Sequence, residues 1–122
     1  MTLTHLFKAQ AIFAWIWVVL IWAAPEMAME VSFWVLTPNL ESMAQFLSVP
    51  MFGIGVISWM MPSWAGDNLK QVGMVMGVYL NIVFIAIGLF HASTGAANYD
   101  PMGTIPVVIF TALFFWKSRA SD

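Results

Sequence analysis

The residues of this chain that can do chemistry are few, and they are widely spaced. Glu41, Gln45 and Ser48 follow at i, i+4 and i+7, which sets a carboxylate, an amide and a hydroxyl on one face of a helix, with Gly55 further along the same stripe. At about 100° per residue, Gly73, Gly77, Asn81, Phe84, Gly88 and His91 fall within an arc of roughly 80°. If the helices carrying these two stripes are antiparallel neighbours, Glu41 and His91 meet at one surface, with Gln45, Ser48 and Asn81 progressively deeper. A Glu and His so placed could bind a cation or relay protons in an outward-opening polar pocket.

Each of these groups also has a plainer use. Gly73 and Gly77 form a GxxxG motif, whose missing side chains let another backbone approach closely, so Gly73, Gly77 and Gly88 read first as a helix-packing face. Glu41 stands close enough to a helix end to reach water, and His91 suits an interfacial hydrogen bond. His5, the other histidine, belongs at the opposite end of the helices, which separates the two by too much for a shared haem or metal within one chain. Either histidine alone could still ligate a pigment or haem supplied by a larger assembly, and no cofactor is otherwise indicated. The sequence lacks a phosphate loop, HExxH and GxSxG, and no residue is assigned a catalytic or metal-binding role.

The elements that must position these residues follow from composition. Of 122 residues, 61% are hydrophobic and 8% charged, against about a quarter charged in an ordinary soluble domain. A chain this short cannot hide that much apolar surface from water, so the solvent expected for it is lipid. Charged residues are costly at bilayer depth and therefore punctuate the spans, each of which needs about 20 apolar residues. The reading is an all-α, integral membrane four-helix bundle, one domain over 1–122, with spans at about 3–24, 38–62, 69–91 and 101–116.

Local signals mark the ends. Pro25 and Glu26 close the first span, Thr37-Pro38 caps the second, and Asp100-Pro101 caps the fourth. Pro50 should bend the second helix, and Pro62 should end it. Lys8 to Ala24 mimics a signal peptide, but Pro25 directly after the small residues disfavours cleavage, and the segment reads as the first span. The apolar stretch Val31 to Leu36 is too short to cross and is expected along the interface. Trp34, Trp59, Trp64 and Trp116 fall near predicted interfaces as aromatic anchors, while Trp15 and Trp22 share one helix face.

With four antiparallel spans, Lys8, Lys70, Lys117 and Arg119 gather at one side and Glu26, Glu30, Glu41 and Asp100 at the other, which places both termini on the cytoplasmic side. A net charge of -2 with four basic residues leaves no patch for nucleic acid. Cysteine is absent, which removes disulfides, thiolate metal sites and Cys nucleophiles.

The pattern of a first span closing in Ala24-Pro25-Glu26, a capped second span, a Gly-rich third and a short fourth resembles small uncharacterised four-span membrane proteins of the DoxX-like type. That resemblance implies a four-helix membrane bundle and carries no catalytic motif to these positions. The first expected function is a non-catalytic structural or accessory subunit, partnered by the bilayer and by other membrane subunits or copies of itself. The alternative is a small transporter or ligand-binding bundle built on Glu41, Gln45, Asn81 and His91; a membrane enzyme comes third.

Overall fold

The computed structural model describes residues 1–30, 34–96 and 101–119, and among these every regular element is helical. Helix α1 spans Leu3–Ala23, α2 Pro25–Glu30 and α3 Pro38–Ala65. A single 3₁₀ turn, Gly66–Asn68, leads into α4, Leu69–Met74; a π turn, Val75–Tyr79, joins α4 to α5, Leu80–Thr94; and α6 is Pro101–Arg119. The molecule therefore has four long rods: α1, α3, the combined α4–π–α5 rod, and α6.

The caps explain where the rods begin and end. Thr2 caps α1 through a reciprocal pair in which its hydroxyl accepts from the His5 amide, 3.4 Å, while its own amide donates to His5 Nδ1, 3.3 Å. Thr37 does the same duty for α3, accepting from the Leu40 amide at 3.1 Å with Pro38 in the first turn. Two glycines turn the chain with positive φ, Gly66 at 54° after α3 and Gly95 at 79° after α5, where a Cβ would be strained. Asp100, expected as the cap of α6, lies outside the described residues, as does the first half of the stretch Val31 to Leu36.

Several expected boundaries move. Pro62 does not end α3, which continues to Ala65 with Pro50 and Pro62 both inside it. Neighbouring contacts and local rearrangement absorb a proline's missing N–H when the helix is otherwise supported. Pro25 ends α1 but opens the short helix α2, having the φ that suits a first helical turn.

Side-chain pairs set the topology. Lys8 lies over Trp59, Trp15 against Phe52 and Trp22 against Ser48, so α1 and α3 run antiparallel. Phe7 meets Phe114 edge-on at 5.0 Å and Phe13 meets Phe110 at 5.9 Å, so α6 is antiparallel to α1 as well. Ser118 sits on Gly73 and Phe114 on Gly77, which makes the α4–π–α5 rod antiparallel to α6 and hence to α3. The result is an antiparallel four-rod arrangement with α1 as its central member.

Two apolar clusters hold it. At the end carrying α1's start, Leu3, Leu6, Phe7, Val78 and Phe114 are buried together, flanked by Met61, Leu69, Val72 and Leu113. At the other end, Ile21, Ala28, Met29 and Ala44 unite α1, α2 and α3. Only the first cluster joins all four rods. Above it, α3 packs along α1 while α5 packs on α6 and the π turn, so the bundle is closed at one end and divided at the other.

Candidate functional site

The small-residue positions are sockets for aromatic rings. A Cβ on Gly77 would collide with Phe114, and one on Gly73 with Ser118 Oγ and the Leu3 side chain. Phe114 is completely buried as a consequence, wedged between Phe7 and the backbone at Gly77. On α3, a Cβ at Gly55 would collide with the Trp15 indole, whose Nε1 donates to the Phe52 carbonyl at 3.4 Å. Close backbone-to-ring contact of this kind gains dispersion energy from many atom pairs at once, each worth about 0.1–0.2 kcal/mol.

Gly88 behaves differently from the other two glycines of its stripe: nothing lies within 4 Å of its Cβ position. The π turn accounts for this. Hydrogen bonds closing over five residues insert extra length into one turn, so the face of α5 rotates relative to α4 by up to about 100°. Gly73 and Gly77 stay against α6, Val78 turns inward beside them at 5% exposure, and Gly88 and His91 swing out. A stripe drawn at constant 100° per residue cannot anticipate that break.

The expected polar pocket residues are accordingly dispersed. Ser48 is 2% exposed, accepts from Trp22 Nε1 at 2.8 Å and donates to the Gln45 carbonyl at 2.6 Å, so it faces α1. Asn81 donates from Nδ2 to the Gly77 carbonyl of its own rod at 2.9 Å, inside the π turn where the regular bonding pattern is interrupted. His91 is exposed near the end of α5, its ring 5.8 Å from that of Phe90. Since α3 and α5 are not packed on each other, Glu41 and Gln45 share no wall with Asn81 and His91.

Glu41 instead lines an open groove of about 630 Å³ at the divided end, with Ala23, Ala24, Pro25, Glu26, Met27, Glu30 and Leu36. Three carboxylates thus share one rim, although among the described residues no set of three His, Cys, Asp or Glu is placed to hold a metal ion. The sequence gathers these acids on one side, but it carries no signal that α2 is a helix folded back beside α3. A second feature missed from sequence has a legible trace: Trp15 and Trp22 are seven residues apart, as are Ser48 and Gly55, and antiparallel pairing matches the two sets.

At the closed end, cations lie over rings. Lys8 Nζ is 4.8 Å from the Trp59 ring centre, Lys117 Nζ 4.2 Å from Trp116, and the Arg119 guanidinium 5.3 Å from Phe115. Comparison of the chain with models of protein families, with curated proteins and with solved structures gives no match.

Proposed function

We propose that this chain is a multi-pass membrane protein whose four rods cross the bilayer, serving as a non-catalytic structural or accessory subunit that packs against further membrane helices. Two helical stretches, Leu3–Ala23 and Pro38–Thr94, are long and apolar enough to cross a membrane, and only 22% and 17% of their most apolar windows are buried. A core helix of a soluble domain with that composition is mostly buried, so the exposed apolar faces favour lipid as the surrounding medium. Phe46 at 76% and Phe90 at 62% exposure are examples from the two sides of the division.

The observation that carries the subunit reading is α5. Among the described residues it has none that is buried, its main packing partners are α6 and the π turn, and it presents Gly88 with free space over it. Without a hydrophobic drive between helices in lipid, close approach at small residues is what associates them, and Gly88 is suited to that use. The α4–π–α5 rod thus spends one pair of glycines on α6 and retains one for another helix.

The test is purification in mild detergent, followed by identification of what co-migrates. Stoichiometric recovery with other membrane polypeptides, lost in Gly88→Leu and kept in Ile87→Leu, is the expected result. Recovery of the chain alone, with both variants behaving like the parent, rules out the subunit role.

A further inference from the structure

We propose that the closed end of the bundle is a binding surface for anionic phospholipid headgroups. The inference rests on the membrane reading above and adds the lipid class recognised. All four basic residues of the chain, Lys8, Lys70, Lys117 and Arg119, belong to this end. Their common level follows from the packing: Lys8 is matched to Trp59 across α1 and α3, while Ser118, between Lys117 and Arg119, sits on Gly73, one turn beyond Lys70. The cations thus come from α1, α4 and α6, three rods held in register by the Phe7, Val78 and Phe114 cluster.

Lys8, Lys117 and Arg119 lie over aromatic rings, and two of those rings, Trp59 and Trp116, are of the type that seats at the boundary between acyl chains and headgroups. Such a pair is apolar beneath and cationic above. In a bilayer, lysines so placed can lay their stems along apolar surface and keep their ammonium groups at headgroup level, where a lipid phosphate would meet them. Asp67 is the acidic side chain at this end among the described residues, against the three carboxylates of Glu26, Glu30 and Glu41 around the groove at the other end. Among the described residues the charge is therefore polarised along the bundle axis, and the positive end complements phosphatidylglycerol or phosphatidylserine rather than zwitterionic lipid.

The experiment is reconstitution of the full chain in vesicles of phosphatidylcholine alone and of phosphatidylcholine with an equal amount of phosphatidylglycerol, then analysis of lipid retained after detergent extraction. The expected outcome is flotation with both vesicle types and enrichment of phosphatidylglycerol over its bulk share. Lys117→Gln with Arg119→Gln should cut that enrichment by about threefold or more, because two juxtamembrane cations are removed together. Arg119→Lys, which keeps the charge on the exposed last turn of α6, should retain it. Flotation with retained lipid in bulk proportions, or unchanged enrichment in the double variant, overturns this inference and leaves the membrane reading standing. Failure to float with either vesicle type overturns the membrane reading itself.

Discussion

Single residues divide into those whose neighbours the chain supplies and those it leaves open, and the glycines separate the two sharply. At Gly77 a side chain must displace the buried Phe114 ring, so Gly77→Leu is expected to destabilise the purified protein by about 2 kcal/mol or more, as overpacking does. At Gly88 a Cβ has nothing within 4 Å, so Gly88→Leu should shift stability by no more than about 0.5 kcal/mol. Thermal unfolding in detergent reads both; similar losses at the two sites would show that the Phe114 socket does not exist. Val78 lies in the π turn and is buried in the same cluster as Phe114, so enlarging it should also destabilise the protein. Ser48 supports a second prediction: its bond to Trp22 Nε1 should give a coupling of about 1 kcal/mol in a double-mutant cycle of Ser48→Ala and Trp22→Phe. Strict additivity would mean that the indole and hydroxyl are not bonded.

Elements are joined by ring-into-glycine contacts rather than by the polar stripes. α3 turns its Ser48 and Gly55 face to α1, and the α4–π–α5 rod turns Gly73 and Gly77 to α6, which leaves α3 and α5 apart. Paired cysteines check this directly. Gly73→Cys with Ser118→Cys should cross-link under mild oxidation, since those positions touch, whereas Glu41→Cys with His91→Cys should not. A disulfide from the second pair would restore the polar pocket expected from sequence. Helix starts at this scale were legible, because Thr37-Pro38 states a cap locally. The π turn was not, since its five-residue closure depends on how α4 and α5 seat against Phe114, and no residue type encodes it.

The whole molecule is polarised, with its cations at the closed end and Glu26, Glu30 and Glu41 around the groove at the divided end. For the membrane arrangement proposed above, the positive-inside rule predicts that the closed end faces the cytoplasm. Asn68→Cys lies in the turn at that end and Ala96→Cys beyond α5 at the other. An impermeant thiol reagent applied from the non-cytoplasmic side should label position 96 and spare position 68. The reverse pattern would invert the topology, and labelling of both without permeabilisation would remove the membrane-spanning arrangement.

What the amino-acid sequence determined by itself was the helical class, the cap at Thr37 and the break at Pro25, because these depend on local sterics and on the distribution of apolar residues along one chain. The segregation of charge was also readable, since antiparallel rods of similar length carry it to opposite ends whatever their packing. Tertiary structure alone decided which rods are neighbours. A glycine on a helix face says that something approaches closely but not what, and it took the fit of Trp15 to Gly55 and of Phe114 to Gly77 to choose α1 and α6 as the partners. That choice then fixed the fate of Glu41, Gln45, Asn81 and His91: a polar pocket needs two helices in contact, and the rods that carry these residues are drawn apart by better partners elsewhere.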